Sequence, residues 1–299
     1  MRKMHKDEIE TNQDQVRRLL AAQFPQWAGL PVEPVPSSGT DNAIYRLGQE
    51  LAVRLPRIHW ATGQIEKEFH WLPRLAPHLP YKLPTQLAQG QPAEGYPYTW
   101  AIYRWLDGES ARLEALANPR QAARDLAGFL AALRQVNTSG GPLVAPGSSM
   151  RGGALRMRDA ETRAAIYAMR GMLDTQAALA VWEAALAAPA WAQAPVWFHG
   201  DLLPGNLLVK DGHICAVIDF SCLGVGDPAI DLLPAWSLFE GESRAAFRAA
   251  LAVDDATWLR GKGLALSIAV IYIPYYLESN PAGVAMARRM LDAVLSSGD

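Results

Sequence analysis

The sequence predicts an α+β fold, a small antiparallel sheet followed by a larger helical part. Three observations predict it. In the first third of the chain, short apolar runs at residues 44–47, 51–55 and 99–106 are set apart by turn-forming residues and one helical stretch. From Asn118 onward the composition becomes rich in Ala, Leu and Arg, with helical spacing over residues 121–136 and 160–188. Half of the 299 residues are apolar, enough to bury a substantial core.

The elements follow in order. Ile9, Val16, Leu19 and Leu20 predict a first helix over residues 7–23, ahead of a Pro-rich connector. In Leu51-Ala-Val-Arg-Leu55, alternation puts Leu51, Val53 and Leu55 on one face and Ala52 with Arg54 on the other. Residues 64–75 resume a helical pattern that ends before Pro77 and Pro80, and the strand over 99–106 closes at Asp107-Gly108. The shift in composition there sets a boundary between 106 and 107. Residues 137–153 are dense in breakers and read as a surface loop. Runs at 207–209 and 214–218 flank Lys210-Asp211-Gly212, a hairpin signal. The apolar stretch 264–277 is interrupted by Ser267 and Pro274, falls short of a membrane span and reads as a buried helix.

Bulk properties narrow the function classes. Charged residues make up 19% of the chain and the net charge is -2, so no electrostatic footprint for nucleic acid or an anionic membrane is expected. Two cysteines, Cys215 and Cys222, are too few to staple a chain of this size and lack metal-ligand spacing. The charged N-terminal stretch has no apolar signal run, which together with the cysteine usage predicts a cytoplasmic protein.

The specific signal is His199-Gly-Asp201-Leu-Leu-Pro-Gly-Asn206, followed by Ala216-Val-Ile-Asp219-Phe. A carboxylate, an amide five residues on and a second carboxylate after a hairpin have the spacing of a protein-kinase catalytic loop. Phosphoryl transfer needs a carboxylate to orient a hydroxyl and take its proton, which suits Asp201. It also needs hard oxygen ligands for magnesium, which Asp219 and the Asn206 side-chain oxygen supply.

These segments, with the run from Gly224 through Asp227 and Asp231 to Trp236, resemble the aminoglycoside phosphotransferase family, which shades into macrolide, choline and homoserine kinases. The resemblance implies a protein-kinase-like bilobal fold, with a nucleotide-binding lobe over 1–106 and a helical lobe over 107–299 carrying the catalytic loop and acceptor site. It implies ATP or GTP with Mg2+, and transfer of the terminal phosphate to a hydroxyl of a small molecule, by a monomer or homodimer. An aminoglycoside-type antibiotic is the first expectation, and a macrolide or a choline- or homoserine-like metabolite the alternative. A pseudokinase-like binding module and a metal-dependent phosphohydrolase are the readings from other classes.

By the same resemblance Asp201 is the catalytic base, and Asn206 and Asp219 hold magnesium. His199 is scaffold, while Asp227 and Asp231 pin the loop after the metal aspartate and cap the next helix. Ser38, Gly39, Thr40 and Asn42 lie in a turn over the phosphates. Arg54 stands where kinase-like proteins usually carry Lys, with Glu68 as its partner and Glu66 as the fallback. Arg104 and Trp105 take the place of the hinge whose backbone meets the purine. Glu240, Glu242, Asp254, Asp255 and Glu278 are acidic candidates for a polyamine-like acceptor. Trp236, Phe239, Trp258, Tyr272, Tyr275 and Tyr276, interleaved with Arg244, Arg248 and Arg260, suit a flatter, apolar one.

Overall fold

A computed structural model describes residues 3–36, 39–144 and 151–297. Five strands, β1 (Val32–Pro34), β2 (Asn42–Leu47), β3 (Leu51–Pro56), β4 (Gln86–Gly90) and β5 (Trp100–Arg104), form an antiparallel sheet in the order β1-β2-β3-β5-β4. The alternation in β3 decides what covers each face. Val53 and Leu55 join Val32, Ala43, Leu47 and Ile102 in a core closed by Val16, Leu19 and Leu20 of helix α1 (Gln13–Gln23). On the other face Ile65 of helix α2 (Gln64–Leu75) packs on Ala101 and Tyr103. Helix α1 starts six residues later than expected, because Asn12 caps it by accepting from the Gln15 amide at 2.9 Å. Ile9 instead donates its amide to the Arg57 carbonyl at 2.8 Å.

Leu72 and Leu75 at the end of α2 belong to the larger, second core, which joins the sheet region to the rest of the chain. That part comprises β6 (Glu109–Ser110), α3 (Pro119–Gln135), α4 (Asp159–Ala168), α5 (Thr175–Ala187), β7 (Val196–Phe198), β8 (Leu207–Lys210), β9 (His213–Val217), β10 (Gly224–Gly226), α6 (Pro234–Ser237), α7 (Gly241–Leu251), α8 (Asp255–Tyr276) and α9 (Pro281–Ser296). The helix expected over 160–188 is two, α4 and α5. Gly171 turns the chain at φ +85°, and Asp174 caps α5 by accepting from the Ala177 amide.

The β8–β9 hairpin forms as expected, with Asp211 and Gly212 both at positive φ. Positions 145–150 of the expected surface loop lie outside the described residues. The loop's end is not on the surface: Gly152 is buried, and a Cβ there would come within 2.1 Å of Phe198. Helix α8 runs 22 residues, longer than the apolar stretch that marked it, and by length and composition it is long enough to cross a membrane. Its most apolar window is 78% buried inside the protein, where it packs on α4, α5 and α9.

Candidate active site

The catalytic-loop segment leaves β7 and enters β8, and pairing of β7 with β10 brings the chain after Asp219 back beside it. Contact is close at Gly200. It sits at φ +84°, and a Cβ would lie 2.6 Å from the Cys222 carbonyl oxygen, so glycine alone fits.

His199 is fully buried; its Nε2 lies 3.0 Å from the Ile218 carbonyl, and its Nδ1 accepts from the Asp201 amide at 3.2 Å. Those partners fix the Nε2–H tautomer, and the ring splints the loop to the end of β9. Asp231 accepts from the His199 and Gly200 amides at 2.9 and 2.8 Å. Asp231 thus pins the loop before Asp201 rather than the one after Asp219, and burial raises its pKa. Asp227 does cap the next helical turn, accepting from the Ala229 amide at 3.0 Å, and it also pairs with Arg260 at 2.7 Å.

Asn206 donates its side-chain amide to the Asp201 carbonyl at 2.8 Å and to Asp201 Oδ2 at 3.1 Å. Its amide oxygen keeps no partner among the described residues. The Asn206 carbonyl accepts from the Ile218 amide at 2.9 Å, which places Asp219 next to it. Asp219 takes a left-handed backbone, φ +59°, and accepts from the Ser221 amide at 3.3 Å. Asn206 is therefore held to the Asp201 carboxylate on one side and to the backbone beside Asp219 on the other, which lines up hard oxygen donors suited to a divalent cation.

The opposite wall is built from β3 and α2. Arg54 Nη1 donates to both Glu68 oxygens at 2.7 Å, and Nη2 lies 3.7 Å from Asp219. Tyr103 donates its hydroxyl to Glu68 at 2.9 Å. Burial by itself lowers the Arg54 pKa, but the charge of Glu68, with Tyr103 and Asp219, holds it well above the ordinary value. Glu66, the fallback partner, is exposed.

The sequence profile of the phosphotransferase enzyme family (APH) matches residues 32–264. The chain belongs to that family. No match was found among curated proteins. Similar solved structures include the GDP complex of wild-type aminoglycoside 2′-phosphotransferase-IIIa, at 17% identity and TM-score 0.75 over 95% of this chain and 99% of that one. The APH(2″)-IIa ternary complex with streptomycin and ATP gives 16% and 0.60 over 88% and 91%. A macrolide 2′-phosphotransferase from Brachybacterium faecium, as apoenzyme, gives 23% and 0.60 over 96% and 98%. At these identities the likeness shows the fold, and it is the kinase-like α+β architecture expected from the motifs.

Ser38 lies outside the described residues. Gly39 is exposed, Thr40 donates to Asp41 at 2.9 Å, and Asn42 opens β2 with its side-chain oxygen buried and unpartnered among the described residues. Asp41 ties this turn to two distant segments. His5, buried ahead of α1, has Nε2 3.2 Å from Asp41 and Nδ1 3.1 Å from the Tyr275 hydroxyl on α8. Trp60 donates to Asp41 at 3.1 Å. Burial alone raises the Asp41 pKa, but hydrogen bonds from His5, Thr40 and Trp60 outweigh it and hold the carboxyl low. At the expected hinge, the Arg104 amide is spent on the Thr85 carbonyl at 2.9 Å and the Trp105 amide on Glu50 at 2.7 Å. Leu106 carries the next amide, and it has no partner among the described residues.

Most acidic acceptor candidates have structural uses. Glu240 caps α7, Asp254 caps α8, and Glu242 and Asp255 pair with Arg120 and Arg248 on the surface. Trp236, Phe239 and Trp258 are core. Tyr272 is different: burial, with Asp201 nearby, pushes its pKa up to about 12.

Two site residues escaped the sequence reading. Lys67, beside Glu68 on α2, donates to the Ser221 and Leu223 carbonyls, the latter at 3.2 Å. Its helix position next to an exposed Glu66 was the available signal. Arg151 Nη1 donates to Asp201 Oδ1 at 2.5 Å and to the Gly200 carbonyl at 2.6 Å. It lies in an aperiodic Gly-rich loop that carries no such signal.

Proposed function

We propose that this phosphotransferase moves the terminal phosphoryl group of ATP or GTP to a hydroxyl of a small molecule. The observation that carries the reading is the convergence of Asp201, Asn206 and Asp219 opposite the Arg54–Glu68 pair. Residues 1–106 then form the nucleotide lobe and 107–299 the catalytic and acceptor lobe. Asp201 orients the hydroxyl and receives its proton, while Asn206 fixes the carboxylate through Oδ2. Arg54, held by Glu68, presents its charge to the phosphates.

Magnesium fits the donor set. Among the described residues no group of three or more His, Cys, Asp or Glu can hold a metal. A cation taking Asp219, the Asn206 oxygen, phosphates and water is what magnesium prefers. When bound, it offsets phosphate charge.

Solved structures of the same fold are described as complexes with GDP and with streptomycin and ATP, which supports nucleotide as donor and an antibiotic-like acceptor. An aminoglycoside and a macrolide both remain acceptors of this kind. The macrolide kind is favoured by Arg151 and Tyr272 beside Asp201 and by the structural use of the acidic candidates, which leaves little to attract a polycation.

The test is nucleotide consumption with magnesium across aminoglycosides, macrolides, choline and homoserine, with product identified by mass. Asp201→Ala should lower transfer by about 10²–10⁴-fold. Full transfer in that variant sinks the base assignment, and hydrolysis that no alcohol enhances favours the phosphohydrolase.

A further inference from the structure

The contact at Asp201 that comes from outside the catalytic loop is Arg151. Asp201 Oδ2 is held by Asn206, and Oδ1 by Arg151. Both hydrogens on Nη1 are spent, one on Asp201 and one on the Gly200 carbonyl. The three N–H groups on Nε and Nη2 keep no partner among the described residues. The side chain is 20% exposed, so these donors face an accessible space rather than a sealed core. Burial by itself lowers the Arg151 pKa, but the charge of Asp201 foremost, with Asp219, holds it well above the ordinary value. One guanidinium thus lies within electrostatic reach of both catalytic carboxylates.

The space between those carboxylates is where a transferring group has to pass. Asp201 meets the acceptor hydroxyl, and Asp219 faces the phosphates. Resting on the reading above, we infer that Arg151 is a further catalytic residue, which binds the phosphoryl group during transfer. The acceptor oxygen forms its bond to the terminal phosphorus as the bond to the bridging oxygen breaks. The electron pair of that broken bond leaves on the diphosphate, and the hydroxyl proton goes to Asp201. Negative charge then disappears from the Asp201 carboxylate and grows on the phosphate oxygens. A cation already bound to Asp201, with donors to spare, can follow the charge without leaving the site. Arginine suits the task because its planar fork offers several donors to oxygens in one plane. Arginines that meet a transferring phosphoryl contribute about 10³–10⁵-fold in GTP-hydrolysing enzymes.

The test needs no acceptor. Affinities of the full chain for magnesium with ADP or GDP are measured by calorimetry, without and with aluminium fluoride, a stand-in for the phosphoryl group in flight. Arg151→Ala should bind the diphosphate within about twofold of the parent and lose at least about tenfold of the tightening that the fluoride brings. Arg151→Lys keeps the charge without the fork and should lose part of it, which decides the question should the alanine variant fail to fold. Tightening that survives in both variants, or is absent in the parent, overturns the inference. So does an equal weakening of both complexes, which makes Arg151 a loop-positioning residue. A parent that binds neither diphosphate overturns the nucleotide reading itself.

Discussion

Two arginine–carboxylate pairs border the candidate site, one beside Asp219 and one at Asp201, and they are built to opposite ends. Arg54 and Glu68 are 9% and 0% exposed, with both carboxylate oxygens on one nitrogen and Tyr103 and Gln64 completing the shell. Arg151 and Asp201 are 20% and 21% exposed, joined through one oxygen, with donors left over. Sealing a pair removes water as an alternative partner, so neither charge can be left alone without a large cost. An open pair can exchange one anion for another. The first is a fixture that holds α2 against the sheet; the second is adjustable.

The contrast breaks most readily at Glu68. Glu68→Ala leaves the Arg54 charge buried and should cost about 3–5 kcal/mol in denaturant unfolding. A loss below about 1 kcal/mol, the range of solvated pairs, erases the distinction between the two pairs. A smaller effect tests how far the adjustable pair depends on a rigid floor. Asp231→Ala strands the His199 and Gly200 amides and should cost at least about 2 kcal/mol, at about 1 or more per orphaned donor. Unfolding at unchanged midpoint removes Asp231 as the anchor of the loop.

The smallest effect lies at the Asp41 junction. Its carboxyl is held below 3.8, the unfolded value, so its contribution to stability is full above that pH and is lost as pH falls through the lower, folded value. Thermal midpoints should therefore drop more steeply below about pH 4 in the parent than in His5→Ala. Parallel curves remove the link.

What was legible in the sequence separates along the same line. The catalytic loop could be read because its donors and acceptors sit within a few residues, so backbone geometry alone brings Asn206 to Asp201. Arg54 and Glu68 were readable from strand alternation and one helix position. Arg151 was not, since its meeting with Asp201 depends on how a Gly-rich loop packs against β7, which no periodicity encodes. Asp231 was recognised as a residue and misread as a partner, because its target lies 31–32 positions upstream. The break between α4 and α5 was hidden by alanine, whose helix propensity runs on through both segments and masks a single Gly171.

The reach of Lys67 from α2 to the Ser221 and Leu223 carbonyls has a mechanical meaning. Hydrogen bonds from a charged donor are worth about 1.5–3 kcal/mol each, so helix and loop form one lever rather than two hinged parts. Swinging α2 outward would drag the segment after Asp219 along with it.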